Sequence, residues 1–159
     1  PDIIFFGGMD AVAGPMLKQM KQLGINAKFM GGDGICTAEL AKLAAEGMAD
    51  ENVFCAEAGG VEGEQKAGME KFRADFKAKY NAEVQVYAPY VYDAVKVMAQ
   101  AMVTAGSSDP AKYLPALKSI NYKGVTGNIA FDEKGDIKNG ALTLFTYTAG
   151  KREQIAVVR

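Results

Sequence analysis

The first third of the sequence alternates short apolar runs with amphipathic stretches, and this alternation restricts the fold more than any other feature. The apolar run at 3–6 has the length and continuity of a strand buried on both faces, and two further short strands are predicted at 27–30 and 53–55. Between the runs, apolar residues recur at helical spacing, and paired glycines follow the first two runs. Strand, helix, strand, helix, strand in this order predicts right-handed crossovers and an α/β fold with a parallel sheet and flanking helices.

Two residues mark where the helices of this first third are expected to begin. Pro15 is predicted to lie in the first turn of the first helix, because that turn tolerates a missing backbone N–H. Thr37 is predicted to be the N-cap of the second helix, where its side-chain oxygen can accept a hydrogen bond from a free backbone N–H.

The pattern changes after Glu57. A flexible break is predicted at 57–60 (EAGG), of which residue 60 lies outside the residues that the structure describes, and a long polar helix is predicted over 64–80. A more apolar helix is predicted over 90–104, and its apolar side chains are expected to be buried. These side chains are Val91, Ala94, Val95, Met98, Ala101 and Met102.

The last third of the sequence combines a short helix with β-type segments. Asp109 followed by Pro110 is a helix start signal, and Pro115 is expected to keep that helix short or to kink it. Strands are predicted over 128–131, 142–147 and 155–158, with polar turns at 132–135 and 149–152.

The composition argues against an enzyme and against a nucleic-acid-binding protein. The chain has no histidine, which removes the commonest general base and the commonest transition-metal ligand. Serine occurs only at Ser107, Ser108 and Ser119, and none of these lies in a Gly-x-Ser-x-Gly turn. The net charge is -1, so no basic surface for nucleic acid is expected. We therefore expect no catalytic residue, no cofactor and no nucleic-acid partner.

The start of the chain bears on what kind of molecule it is. Pro1 and Asp2 lead directly into the apolar run at 3–6, and no segment has the features of a signal peptide. We therefore expect a fragment or a processed product. No apolar run approaches the roughly 18 residues that a membrane-spanning helix needs, so no such helix is predicted.

The two cysteines, Cys36 and Cys55, allow two interpretations. They lie 19 residues apart and form no Cys-x-x-Cys unit, so they could be two buried small apolar side chains. The alternative is a disulfide, which requires an oxidising compartment. Because both lie near the ends of neighbouring predicted strands, we predict that they are bonded.

Acidic side chains follow each of the three predicted parallel strands. Asp10, Asp33 and Glu57 lie where the strands end, which is where ligands bind to open parallel sheets. No Lys or Arg accompanies these residues in the sequence, so the site suits an ammonium group or a divalent metal. Two alternatives remain open, because Asp33 between glycines can bond its own backbone and Asp10 can complement a helix dipole.

Other motif interpretations are weaker. The glycines near Met9 do not complete Gly-x-Gly-x-x-Gly, and neighbouring carboxylates would repel phosphate, so a nucleotide site is not expected. Residues 132–136 (DEKGD) lack the spacing of a calcium-binding loop and are predicted to form a turn, so no metal site is assigned.

Four segments resemble the leucine/isoleucine/valine-binding proteins of ABC importers. They are residues 5–10 (FFGGMD), 29–34 (FMGGDG), 87–94 (YAPYVYDA) and 131–136 (FDEKGD), in the order and spacing of that family. The resemblance extends over essentially the whole chain, but it corresponds only to the C-terminal half of a family member.

This resemblance implies a two-lobed type I periplasmic-binding-protein fold, which is Rossmann/flavodoxin-like, with the ligand in the cleft. Residues 1–57 and 142–159 would form the C-terminal lobe, and 58–141 would belong to the N-terminal lobe. The implied function is a periplasmic solute-binding protein that captures branched-chain amino acids and delivers them to the membrane permease of an ABC importer.

The resemblance also implies roles for three residues. Asp33 would bind the α-ammonium group of the amino acid, and Tyr87 would line the pocket for its side chain. Met9 lies where relatives place a tyrosine against the ligand. The residues that bind the α-carboxylate would lie in the N-terminal half of the family's chain, so these 159 residues alone are expected to bind weakly or not at all.

Two other functions fit parts of the sequence. An amino-acid sensor or regulatory domain would have the same two-lobed fold, with the ligand as signal rather than cargo. A flavodoxin-like nucleotide-binding protein would fit the opening strand–helix alternation alone. A chain of this length is also expected to dimerise or to swap elements through the face that its missing half would cover.

Overall fold

The computed structural model describes residues 1–59 and 64–159, which divide into two compact units. Unit 1 consists of Pro1–Ala58 and Ala141–Arg159, and unit 2 consists of Gly59–Gly140. In chain order the helices and strands are β1 (Ile3–Phe6), α1 (Asp10–Gln22), β2 (Lys28–Gly31), α2 (Ala38–Ala44), β3 (Val53–Ala58), α3 (Glu64–Tyr80), α4 (Ala88–Ala105), α5 (Pro110–Lys118), β4 (Tyr122–Lys123), β5 (Asn128–Ile129), β6 (Leu142–Thr148) and β7 (Lys151–Val158). Two 3-10 turns, Asp33–Ile35 and Ala45–Gly47, flank α2.

The five strands of unit 1 form one mixed sheet in the order β1-β2-β3-β6-β7. The first three strands are parallel, as the sequence predicts, and they end at the same edge of the sheet. The chain then leaves for unit 2 and returns as β6, which pairs antiparallel with β3. Strand β7 follows β6 through the two-residue turn Ala149-Gly150, in which both residues have positive φ, as a tight hairpin requires. The polar turn predicted at 149–152 is therefore two residues shorter, and β7 begins at Lys151.

The core of unit 1 lies on one face of this sheet. Helices α1 and α2 contribute Ala13, Leu17, Met20, Leu40 and Ala44, and the strands contribute Phe29, Val53, Cys55 and Tyr147. Ile4 and Phe6 pack against this cluster. The alternate residues of β1 are exposed, with Phe5 at 70%, so the prediction that this strand is buried on both faces is wrong for unit 1 as described.

The opposite face of the sheet is therefore open to solvent. Its exposed large apolar residues are Ile3, Phe5, Leu142 and Val158, and Lys28 lies on the same face, over the ring of Phe54. The four apolar residues come from β1, β6 and β7, which include both edges of the sheet.

The helices of unit 1 begin where capping chemistry allows. Thr37 is the N-cap of α2, and its hydroxyl oxygen accepts a hydrogen bond from the N–H of Leu40 at 3.1 Å, which confirms that prediction. Helix α1 begins at Asp10 rather than near Pro15, which lies inside the helix. The Asp10 carboxylate stabilises this earlier start, because it accepts a hydrogen bond from the N–H of Ala11 at 2.7 Å in the first turn.

Unit 2 is mainly helical. The bounds of α3 are those that the sequence predicts, and α4 extends the predicted helix at both ends. Asp109 is the N-cap of α5, and its carboxylate accepts a hydrogen bond from the N–H of Ala111 at 3.0 Å. The helix continues through Pro115 to a length of 9 residues. The strand predicted at 128–131 is shorter, since only Asn128–Ile129 pairs with β4.

The buried face of α4 differs from the predicted one. Pro89, Asp93, Val97 and Ala101 are buried at a spacing of four residues, whereas Val91 and Val95 are exposed. The apolar residues of this helix lie on most of its sides, so their spacing alone does not show which side is buried. The buried side is determined by Asp93. Its carboxylate accepts a hydrogen bond from the N–H of Val125 at 3.0 Å, and two more from the N–H and the hydroxyl of Thr126 at 2.7 and 2.6 Å.

Cys36 and Cys55 form a disulfide, with their Cα atoms 5.4 Å apart. Both residues are fully buried, and the bond joins the segment after β2 to the neighbouring strand β3. Throughout 1–59 and 64–159, no helix combines the length and the hydropathy needed to cross a bilayer.

We predict that the denatured, unreduced chain exposes no titratable thiol and that reduction exposes two. A Cys36→Ala/Cys55→Ala double variant should lose about 3 kcal/mol of unfolding free energy, because its unfolded chain is no longer cross-linked. Thiol titration and urea unfolding measure the two quantities. Two free thiols before reduction would contradict the prediction.

Candidate functional site

The ends of β1 and β2 approach each other closely, and glycine makes this approach possible. Gly34 is buried, and a Cβ atom at this position would lie 2.6 Å from the carbonyl oxygen of Gly8 and 2.7 Å from the sulfur of Met9. Both distances are too short for a real side chain. The structure therefore brings together the segments that carry Met9 and Asp33, two of the predicted site residues.

Asp33 is exposed on the 3-10 turn that follows β2. The N–H of Cys36 donates to the carbonyl of Asp33 at 3.0 Å, which fixes the turn. Across the ranges that the structure describes, the Asp33 carboxylate accepts no hydrogen bond from the backbone and pairs with no Lys or Arg. This carboxylate is therefore available to a cation from outside the chain.

Met9 is the N-cap residue of α1, and its side chain is 52% exposed. Its carbonyl accepts hydrogen bonds from the N–H groups of Val12 and Ala13 at 3.1 and 3.0 Å. The backbone of Met9 is thus held by the helix, while its thioether lies beside Gly34 at the same edge of the sheet as Asp33.

Tyr87 lies in unit 2, at the N-cap of α4. Its carbonyl accepts a hydrogen bond from the N–H of Val91 at 3.0 Å, and its side chain is 43% exposed. Met9 and Asp33 belong to unit 1, so the three predicted ligand-binding residues divide between the two units.

The other two acidic residues at the strand ends have partners within unit 1. Arg152 forms an ion pair with Glu57, so the expectation that no cation accompanies these acids is wrong at this position. The Thr37 hydroxyl donates to the Asp10 carboxylate at 2.6 Å. Asp10 therefore complements the start of α1 and links it to the start of α2, as the alternative interpretation of this residue predicts.

Sequence reasoning missed two side chains of the β6–β7 hairpin that contact the segment after Asp33. The hydroxyl of Tyr147 lies 2.9 Å from the carbonyl oxygen of Ile35 and 2.8 Å from that of Thr37. The Arg152 guanidinium donates to the carbonyl of Cys36 and stacks on the ring of Phe145, 4.3 Å from its centre. The only available signal was a tyrosine hydroxyl in an apolar strand, which needs a buried partner.

Burial raises the pKa of the Tyr147 hydroxyl well above its ordinary value of 10.0, and the positive charge of Arg152 opposes this effect. The hydroxyl therefore keeps its single proton at physiological pH and shares it between the two carbonyl oxygens. Because the folded state favours the protonated form, its contribution to stability is complete below pH 10.0 and is lost as the pH rises through the raised pKa.

The unfolding free energy is thus predicted to fall above pH 10.0 more steeply in the natural chain than in a Tyr147→Phe variant. The difference in slope should be about 1.4 kcal/mol per pH unit. Urea unfolding at a series of alkaline pH values measures it, and the lysines titrate equally in both proteins. Equal slopes would show that the Tyr147 hydroxyl is not held in its protonated form.

The described residues contain no group of three His, Cys, Asp or Glu side chains that could hold a metal ion. The chemistry available at the edge of the sheet is therefore that of a free carboxylate beside a flexible apolar side chain, on a turn fixed by a disulfide and by buried hydrogen bonds.

Residues 1–152 match the family described as Periplasmic binding protein, so the chain belongs to that family. This confirms the resemblance noted in the sequence. Among its curated relatives are Leu/Ile/Val-binding protein homolog 1 from Brucella abortus, 36% identical over 94% of this chain and 39% of the relative, and a leucine-, isoleucine-, valine-, threonine- and alanine-binding protein from Pseudomonas aeruginosa, 35% identical over 91% of this chain and 38% of the relative.

Solved structures match over nearly the whole chain. They include the leucine-binding protein LivK from Thermotoga maritima, with a TM-score of 0.80 and 27% identity over 99% of this chain and 45% of LivK. A second is the substrate-binding protein LivJ from Streptococcus pneumoniae in complex with isoleucine, with a TM-score of 0.75 and 27% identity over 99% of this chain and 44% of LivJ. The fold is thus that of the type I periplasmic binding proteins, as predicted. The chain spans about two fifths of the length of the curated relatives.

Proposed function

We propose that this chain forms the C-terminal part of a solute-binding protein that captures leucine, isoleucine or valine for an ABC importer. The observation that carries the proposal is the Asp33 carboxylate, which is exposed without a partner among the described residues, at the same edge of the sheet as Met9. The names of the relatives support an amino-acid ligand of this class, since one specifies leucine, isoleucine and valine and the other specifies these three with threonine and alanine. The proposal assigns ligand binding to the site and no catalysis.

Asp33 is the proposed partner of the ligand's α-ammonium group. A carboxylate with no cation of its own gains an ion pair when an amino acid binds, and the pair strengthens as the site loses water. Removing one partner of a desolvated ion pair costs far more free energy than removing one partner of a solvent-exposed ion pair. This residue should therefore decide whether an amine binds at all.

Met9 and Tyr87 are the proposed walls for the aliphatic side chain. Each buried CH₂ group contributes about 0.8 kcal/mol, which separates leucine from alanine but distinguishes isomers such as leucine and isoleucine weakly. The thioether of Met9 can adapt to different shapes because it has three rotatable bonds. A preference for several branched-chain amino acids is the expected result.

Residues 1–57 and 142–159 are proposed to belong to the C-terminal lobe, and residues 58–141 to the N-terminal lobe. In support, the boundaries of the two compact units lie within one residue of these positions. The captured amino acid would then be delivered to the membrane permease of an ABC importer. A periplasmic location is proposed as well, because a buried disulfide forms in oxidising compartments.

In the complete binding protein, which joins this chain to the proposed N-terminal half, Asp33→Asn should weaken leucine, isoleucine and valine binding more than about 100-fold. The amide keeps the size of the side chain but removes the charge that attracts the ammonium group. Isothermal titration calorimetry measures the three affinities.

The matched control is Asp2→Asn, which removes an exposed aspartate elsewhere in unit 1 and should leave all three affinities unchanged. Equal affinity of the Asp33→Asn variant and the natural protein would exclude Asp33 from the site.

The 159-residue chain on its own is predicted to self-associate through the open face of the unit 1 sheet. Phe5→Ser and Leu142→Ser should shift it toward monomer, because both side chains are exposed on that face. Light scattering after gel filtration measures the mass. Leu23→Ser, which removes an exposed leucine outside the sheet, is the control, and a natural chain that stays monomeric at every concentration would contradict the prediction.

A further inference from the structure

Three consecutive backbone carbonyls, the first at the end of the turn that carries Asp33 and the other two just after it, lie within hydrogen-bonding distance of side chains of the β6–β7 hairpin. Tyr147 bonds the carbonyls of Ile35 and Thr37, at 2.9 and 2.8 Å, and Arg152 bonds the carbonyl of Cys36 between them. A segment outside regular structure usually bonds water with such carbonyls. Here two side chains from the far end of the chain take the place of that water.

The same segment is restrained from two further directions. The disulfide from Cys36 reaches β3, and the Thr37 side chain bonds Asp10 at the start of α1. Asp33 is connected to this restrained segment directly, because the N–H of Cys36 donates to its carbonyl. Residues 35–37 are thus held by β3, α1 and the hairpin, and the Asp33 carboxylate makes no hydrogen bond or ion pair with the residues that the structure describes.

Arg152 is fixed in turn by its own contacts. It pairs with Glu57 at the end of β3 and stacks on Phe145, so its guanidinium has a defined orientation toward the Cys36 carbonyl. The core alone does not require this arrangement, since a phenylalanine ring would fill the space of the fully buried Tyr147 ring equally well. The hydroxyl instead fixes the orientation of the backbone at residues 35–37.

We propose that Tyr147, supported by Arg152, is a positioning residue that holds the Asp33 turn in the orientation that receives the ligand's ammonium group. The inference rests on the proposed function, since it deepens the role given there to Asp33. Without the hydroxyl, the carbonyls of Ile35 and Thr37 turn toward water and the Asp33 carboxylate samples several orientations. Binding then has to select one of these orientations, which lowers the apparent affinity.

The chain offers a matched pair of substitutions. Tyr147→Phe removes the hydroxyl that bonds residues 35 and 37, and Thr146→Val removes a buried hydroxyl that bonds the carbonyl of Val53 at 3.1 Å instead. The two residues are neighbours on β6, and each variant loses buried hydroxyl bonding to the backbone. Only the first affects the segment that follows Asp33.

The first experiment is amide hydrogen exchange on this chain, followed by NMR. In Tyr147→Phe, the Ile35 and Cys36 amides should exchange about tenfold faster relative to the core amide of Phe29, as expected for the loss of hydrogen bonds that hold the turn. In Thr146→Val this ratio should not change. Unchanged exchange at Ile35 and Cys36 in Tyr147→Phe would overturn the inference.

The second experiment is calorimetry on the complete binding protein with two ligands. One is leucine, and the other is 2-hydroxy-4-methylpentanoate, which replaces the ammonium group with a hydroxyl. Tyr147→Phe should lower the affinity for leucine about tenfold and leave the affinity for the hydroxy acid nearly unchanged. The ratio of the leucine affinity to the hydroxy-acid affinity therefore falls. Thr146→Val should leave the ratio as it is, because a general loss of stability does not act on the ammonium group alone.

The Asp33→Asn variant separates failure of the inference from failure of the proposed function. If Asp33→Asn abolishes leucine binding and Tyr147→Phe leaves the ratio unchanged, the positioning role is wrong and the proposed function stands. If Asp33→Asn leaves leucine binding unchanged, the proposed role of Asp33 is wrong and the positioning role falls with it.

Discussion

The antiparallel pairing of β6 with β3 is the interaction on which the arrangement of the site depends. It extends a three-stranded parallel sheet by a hairpin from the end of the chain. The pairing places Tyr147 under the segment that follows β2 and brings Arg152 to Glu57. Without it, the carbonyls after Asp33 would face a vacant sheet edge. The edge where the parallel strands end is therefore shaped by residues more than 100 positions away in the sequence.

Much of the fold could be predicted because local signals agree with tertiary structure. The strand at Ile3–Phe6, the helix at Glu64–Tyr80 and the cap at Thr37 all follow from periodicity and hydrogen-bonding chemistry within a few residues. The predicted start of α1 was wrong because the Asp10 carboxylate stabilises a first turn that begins five residues before Pro15. The prediction of the buried face of α4 was wrong because Asp93, a polar residue, is held inside by three hydrogen bonds from a distant loop.

The part of the candidate site that the sequence predicts is the part formed by the ends of the parallel strands. Asp33 and Met9 lie together because parallel strands end at one edge and because Gly34 allows the close approach. The partners of Glu57, Cys36 and Thr37 could not be predicted, since they depend on the register of a hairpin far along the chain. Arg152 was assigned to a turn, and only the two-residue hairpin moves it into β7 beside the site.

The return of the chain to β3 also has a consequence for biosynthesis. Unit 2 is synthesised before β6 and β7, so the sheet of unit 1 lacks two of its strands until the whole of unit 2 has been translated. During that interval the edge of β3 is unpaired and open to contact with other nascent chains. The sheet is complete only once residues 142–158 have been synthesised, and this long-range strand pairing is expected to be the slowest step in forming unit 1.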